Sequence, residues 1–370
     1  YEFSNNNGEC TVETSALKLN VDLNGFKISW FYREDSGWVN FANDRKTQAY
    51  NFDGSLGEGI VHYLKRDLDE QYFGLGEKTG SVDKHGKRYR MQAIDAMGYD
   101  AEYSDPLYKH IPFYITRHRE TGFSFGVFYD NLSSSIFELG TELDNYHELY
   151  RYYQAKQGDL DYYIIGGPKV KDVTRKFSWL TGQTIFPPKW SLGYSGSTMS
   201  YTDAPDAQMQ LNEFLKLCEK HDILCDSFQL SSGYTSIEDK RYVFNWNQSK
   251  IPSPKKMVTD FHDKGLRLCA NIKPCLLKDH PLFNELKEKK MFITNSHNEE
   301  PEMAQFWDEI GAYLDFTNKE TYDWWKGQVK EKLLDYGIDS TWNDNNEFEI
   351  WSKEAICHGF GNNKEFELIR

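Results

Sequence analysis

At 370 residues the chain is longer than the size at which one hydrophobic core usually stops growing, so two structural units are expected. An apolar share of 39% with 16% aromatic residues marks a folded globular protein rather than a disordered one. A net charge of -14, with no Lys/Arg block to offset it, argues against nucleic acid and anionic membrane surfaces as partners.

From about residue 9 to 168 the pattern is short β-type runs, at 17–21, 26–32, 59–64, 113–116, 123–129 and 160–165, divided by Gly, Asn and Asp. This predicts an antiparallel β-sandwich domain over 1–186. Within it, Gly74-Leu75-Gly76-Glu77-Lys78-Thr79-Gly80 has the glycines of a phosphate loop, but the spacing matches neither nucleotide motif. It is read as a tight turn after Tyr72-Phe73.

From Pro187 strand-like segments alternate with helical ones: strands at 190–195, 225–231, 267–272 and 339–344, helices near 204–220, 253–264 and 319–334. In the last helix Asn318 stands as a cap, and Tyr322, Trp325, Val329 and Leu333 fall on one face. Repeated parallel β-α units build either a doubly wound sheet or a (β/α)8 barrel. Only about four units fit before Arg370, too few to close an eight-stranded barrel. The expectation for 187–370 is therefore the first half of a barrel, cut before closure, with the remainder beyond Arg370.

The six cysteines (Cys10, Cys218, Cys225, Cys269, Cys275, Cys357) lie at irregular spacings and read as free thiols. No CxxC pair or His cluster suggests a metal site, and none of the ten histidines is given a catalytic role. No metal and no cofactor are expected. No apolar run approaches the ~18 residues of a membrane span, and no signal segment is visible. A cytoplasmic location is expected, with secretion as the alternative. The sequons Asn131-Leu132-Ser133 and Asn247-Gln248-Ser249 decide nothing about compartment.

Asp344 and Glu347 follow the β-type run 338–342, where the carboxyl end of a parallel strand meets a cleft. Trp342 and Phe348 flank them and would exclude water. On spacing alone, a solvated acidic loop is the plainer reading. The many Trp, Tyr and Phe residues suit sugar faces as well as core filling.

The chain resembles glycoside hydrolase family 31. The matches run in order along it: Tyr72-Phe73-Gly74-Leu75-Gly76-Glu77, Tyr103-Ser104-Asp105-Pro106-Leu107-Tyr108, Pro187-Pro188-Lys189-Trp190-Ser191-Leu192-Gly193, and Leu314-Asp315-Phe316-Thr317-Asn318 with Trp324-Trp325. By that resemblance Trp342-Asn343-Asp344-Asn345-Asn346-Glu347 occupies the place of the family's W-x-D-M-N-E motif, with Asn345 where Met is usual. This implies a retaining α-glycoside hydrolase with Asp344 as nucleophile and Glu347 as its orienting support. It also implies an oligosaccharide or α-glycoside substrate, and an Asp acid/base on a later strand, for which no segment before Arg370 matches.

Asp95 resembles the sandwich-loop Asp that reaches the sugar hydroxyls, with Asp100 as an alternative and a turn-capping role as the plainer one. Trp307 is a candidate stacking wall or a core residue. Trp342 is placed with the substrate-binding residues. Where the family shows D-I-D-Y, this chain has Ser231-Ser232-Gly233-Tyr234, so Ser231 replaces an Asp that holds glucose hydroxyls. The alternatives are therefore a transglycosylase, a glycosidase for an α-xyloside, α-galactoside or α-N-acetylgalactosaminide, and a non-catalytic carbohydrate binder.

Overall fold

The computed structural model describes residues 1–6, 8–54 and 57–369. They form two compact units, Tyr1–Thr184 with the stretch from Glu367, and Ile185–Phe366.

The first unit contains three antiparallel sheets. One is a five-stranded meander, Glu2–Asn6, Glu9–Glu13, Leu17–Asp22, Lys27–Glu34 and Gly37–Asn43. The second orders its strands Tyr162–Gly166, Ser124–Tyr129, His110–His118 and Glu70–Gly76. The third orders Tyr50–Gly54, Gly57–Lys65, Tyr150–Ala155, Ser135–Glu138 and Arg88–Met91. Alternation along Ser124–Tyr129 shows how the layers are held. Phe125, Val127 and Tyr129 enter the common core, where Tyr129 stacks on Tyr153 of the third sheet at 3.9 Å. Phe128 faces the other way, onto Val173 and Phe177 of the helix Val170–Thr181. Gly126 lets that helix approach, because a Cβ there would lie 2.6 Å from the Phe113 ring and 2.8 Å from Val173. A buried ion pair, Arg151 to Glu70 at 2.9 Å, is completed by Arg151 donating to the Tyr114 hydroxyl at 3.0 Å.

The segment expected to turn after Phe73 does not turn there. Its strand runs on to Gly76, with a register shift against His110–His118 and positive φ at Gly74, Leu75 and Gly76. At Gly74 a Cβ would meet the Phe113 carbonyl at 2.6 Å, so the glycines make a bulge against the neighbouring strand.

In the second unit four parallel strands lie in sequence order: β1 (Ser195–Ser197), β2 (Ser227–Leu230), β3 (Arg267–Ile272) and β4 (Ser340–Asn343). Helices α1 (Ala207–Lys220), α2 (Pro254–Asp263) and α3 (Lys319–Lys332) join them. Unlike a doubly wound sheet, this order has no reversal, as in a barrel. Phe228, Leu230, Leu268 and Ala270 meet Leu211 and Phe261 in one core. At the amino ends of the strands Asp339 stitches two elements together, accepting from Leu268 N at 2.9 Å and His262 Nε2 at 2.8 Å.

The strand expected at 190–195 begins later. Lys189–Leu192 is a 3-10 turn, closed by Ser191 N to Pro188 O at 3.0 Å, and pairing starts at Ser195. In α3 Asn318 caps as expected, its side chain accepting from Glu320 N at 3.0 Å. Tyr322 leaves the expected face at 55% exposure, while Thr321 and Leu333 are buried and Trp325 and Val329 pack on the core. Among the described residues no helix is long and apolar enough to cross a membrane.

Candidate active site

The site is built on the parallel pairing of β3 with β4. Asn271 pairs with Trp342 and Ile272 with Asn343, so Lys273 and Asp344 leave the sheet side by side. Asp344 N donates to Ile272 O at 2.9 Å, carrying the register one step past the strand. Oδ2 of Asp344 accepts from Asn271 Nδ2 at 2.9 Å and from Lys273 Nζ at 2.6 Å. Oδ1 accepts from Asn345 N at 3.1 Å. The carboxylate is thus an oriented anion, and its side chain remains 27% exposed.

Asn345 has a left-handed backbone with φ 51°, which Asn tolerates better than most side chains. Its Oδ1 also accepts from the Lys273 ammonium, and Asn346 Nδ2 donates to Asp344 O at 3.0 Å. The loop then rests on Tyr313. Phe348 stacks on its ring at 4.7 Å, and its hydroxyl accepts from Glu349 N at 3.3 Å. Burial drives the Tyr313 pKa well above the usual range, so the phenol stays neutral. Beneath the loop lies Cys275, whose thiol burial pushes up to about 12, with Lys273 opposing and Asp344 adding. It is no nucleophile at neutral pH.

Asp315 secures the far end of the same loop. Its buried Oδ1 accepts from Thr317 N at 2.9 Å and Thr317 Oγ1 at 2.6 Å, and Oδ2 from His358 N at 2.6 Å. Thr317 Oγ1 in turn accepts from Gly359 N at 2.7 Å. The Leu314-Asp315-Phe316-Thr317-Asn318 stretch therefore caps α3 through Asn318 and ties down the chain that follows Glu347.

Of the other expected site residues, Trp342 lies half-buried within β4, and Glu347 half-buried in the loop after it. Ser231 directly follows β2 at 5% exposure. Trp307 is 68% exposed, which removes core packing as its role. It sits in the turn between Met303–Gln305 and Ile310–Tyr313, closed by Phe306 N to Glu309 O at 3.1 Å. Two neighbours in that turn are held by cations from the β2 loop. Arg241 binds Asp308 through N at 2.9 Å and one guanidinium nitrogen at 3.0 Å, and reaches Asp203 at 3.1 Å with another. Lys240 bridges Asp279 at 2.7 Å and Glu309 at 3.2 Å. An exposed indole on a turn pinned at two points is a fixed apolar face.

Asp95 and Asp100 belong to the first unit. Asp100 serves its own turn, accepting from Glu102 N at 2.8 Å and Tyr103 N at 3.1 Å. Asp95 accepts from the Tyr108 hydroxyl at 3.0 Å.

Sequence reasoning missed Asn271, Lys273, Lys240 and Arg241. For the first two a signal existed: Asn271 and Lys273 are polar at alternate positions where β3 is otherwise apolar at its carboxyl end.

An antiparallel unit followed by parallel β-α units, with polar side chains gathered at the carboxyl ends of the strands, defines a barrel-type protein with an N-terminal sandwich domain. Residues 184–366 match the model of the glycosyl hydrolases family 31 TIM-barrel domain, and residues 1–138 match that of the glycosyl hydrolase 31 N-terminal galactose mutarotase-like domain. The chain belongs to glycoside hydrolase family 31, and its second unit is part of that family's barrel. It is 28% identical to alpha-glucosidase 2 of Bacillus thermoamyloliquefaciens, over 93% of this chain and 41% of the relative. It is 27% identical to alpha-xylosidase XylQ of Lactiplantibacillus pentosus, over 92% of this chain and 43% of the relative. A GH31 dextranase of Flavobacterium johnsoniae, complexed with glucose, superposes with a TM-score of 0.85 at 25% identity, over all of this chain and 43% of the dextranase. The chain thus spans less than half the length of these relatives.

Proposed function

We propose that the whole protein is a retaining α-glycoside hydrolase and that Asp344 is its nucleophile. The observation that carries this reading is the Asp344 carboxylate at the end of β4, held by Asn271, Lys273 and the Asn345 amide while still open to solvent. In the first step a carboxylate oxygen of Asp344 bonds to the anomeric carbon. The bond to the aglycone oxygen breaks, and that oxygen takes a proton from a second carboxylic acid of the whole protein, about 5–5.5 Å away in retaining enzymes. In the second step the same group, now a carboxylate, takes a proton from water. The water oxygen bonds to the anomeric carbon, and Asp344 leaves as carboxylate.

Glu347 orients the loop that carries Asp344, Trp307 and Trp342 offer apolar faces to the sugar, and Ser231 contacts its hydroxyls. An α-glucoside is the first substrate class to test, because relatives include an alpha-glucosidase. Ser231 and the likeness to an alpha-xylosidase make xylosides the next. At Ser231 a neutral hydroxyl gives up the charge-assisted bond that an Asp makes to a sugar hydroxyl.

The test is labelling of the full-length protein with a 2-deoxy-2-fluoro-α-glycosyl or 5-fluoro-α-glycosyl fluoride, followed by peptide mapping. A single sugar on the peptide containing Asp344 is expected, and a label on another carboxylate would sink the assignment. Aryl α-glucoside, α-xyloside, α-galactoside and α-N-acetylgalactosaminide compared under the same conditions identify the sugar.

A further inference from the structure

The two oxygens of the Asp344 carboxylate are not equivalent. Each can accept at about two lone-pair sites. Oδ2 has both occupied, by Asn271 Nδ2 at 2.9 Å and Lys273 Nζ at 2.6 Å. Among the described residues Oδ1 has one donor, the Asn345 amide at 3.1 Å, which leaves it a lone pair. Asn271 is fixed, at 2% exposure within β3. Lys273 is fixed as well, because its ammonium also binds the Asn345 side chain.

Resting on the double-displacement reading above, we infer that Lys273 is a positioning residue that makes Oδ1 the attacking oxygen and assists departure of Asp344 from the glycosyl-enzyme. When the bond between Oδ1 and the anomeric carbon forms, Oδ2 becomes the carbonyl oxygen of a neutral ester. The Lys273 cation then faces a dipole instead of an anion, and its interaction weakens. When water attacks, the bond between the anomeric carbon and Oδ1 breaks, and its electron pair returns to the carboxylate. Negative charge reappears on Oδ2 in front of a cation already in place. Lys273 therefore favours breakdown of the intermediate over its formation, and losing it slows the second step more than the first.

That asymmetry separates this role from general support of the fold. In the full-length protein, Lys273→Met is expected to slow deglycosylation about 100-fold, the scale for removing one preorganised charge-stabilising donor. With an activated aryl α-glycoside kcat and KM should fall together, and a burst of about one aglycone per enzyme should appear as the glycosyl-enzyme accumulates. Reactivation of the fluoroglycosyl-enzyme in buffer should slow by a similar factor. Lys273→Arg, which keeps the charge, should recover most of the rate.

Full labelling of the Lys273→Met protein at Asp344 shows that it is folded. With that labelling in hand, a raised KM without a burst, or an unchanged reactivation rate, overturns the proposal. If instead the wild-type protein is not labelled at Asp344, the double-displacement reading fails first, and this proposal with it.

Discussion

Replacing Asp315 by Ala removes a buried carboxylate that receives three hydrogen bonds, from Thr317 N, Thr317 Oγ1 and His358 N. The two amides lose a charged acceptor that is itself buried, and hydrogen bonds to a charged group are each worth roughly 1.5–3 kcal/mol. The Thr317 hydroxyl can turn away, and its bond from Gly359 N survives only if it does not swing far. The expected loss is about 3–5 kcal/mol, large for a single substitution and tied to one named mechanism. Asp315→Asn keeps the volume and one oxygen but can set an amide N–H against either Thr317 or His358, so about 1–3 kcal/mol is expected.

Urea unfolding followed by tryptophan fluorescence measures the loss, and amide exchange at Thr317, His358 and Gly359 locates it. The chain on either side of the Asp344 loop should open before the core around Phe228 and Phe261 does. A destabilisation below about 0.5 kcal/mol for Asp315→Ala, the range of an ordinary surface change, would refute the reasoning. Unchanged exchange at His358 would do the same.

Two more outcomes follow from the geometry. Arg241→Ala takes the guanidinium from Asp308 and Asp203, leaves the backbone amide of residue 241 on Asp308, and so loosens the Trp307 turn; KM for an aryl α-glycoside should rise about tenfold, equivalent to 1.4 kcal/mol, with kcat little changed, and a KM equal to wild type would detach Trp307 from substrate binding. His280 is buried, and that burial depresses its pKa against the opposing pull of the Val243 carbonyl and Asp279. Its Nε2 donates to Val243 O at 3.1 Å while Nδ1 accepts from Leu282 N at 3.0 Å, an arrangement only the neutral ring can make. Because the folded pKa is the lower one, the contribution is complete above the unfolded value of about 6.5 and is lost as pH falls through the folded pKa. Urea midpoints at pH 7.5 and pH 5.5 should show this loss, and His280→Gln should lose less stability between the two; equal losses would contradict it.

How far the sequence could be read depended on whether a signal was local. The bounds 267–272 agree with β3, because an apolar run between a Gly and a Pro has few alternatives. Asn318 was legible as a cap because capping involves residues two or three apart. The run at 190–195 misled because its apolar residues follow Pro187-Pro188, which set a turn that leaves Leu192 exposed. Strand Glu2–Asn6 escaped notice because every one of its residues is exposed, so no alternation exists to read. Asp344 could be placed at a strand end from its neighbours. Its partners could not, since Lys273 lies 71 residues away and meets it only through the register of β3 on β4.

That dependence on register has a bearing on how the protein is made. On a ribosome, β3 emerges well before β4, and the intervening residues must form a hairpin and α3 before the two strands can pair. Until then Lys273 and Asn271 have no carboxylate to hold, and Asp344 has no fixed orientation. A slip of one residue would send Asn271 and Lys273 away from the anion together, since alternate residues face opposite sides of a sheet. The orientation of Asp344 is therefore set only once β3 and β4 have paired, and its reactivity toward a glycosyl fluoride in the full-length protein would depend on that pairing.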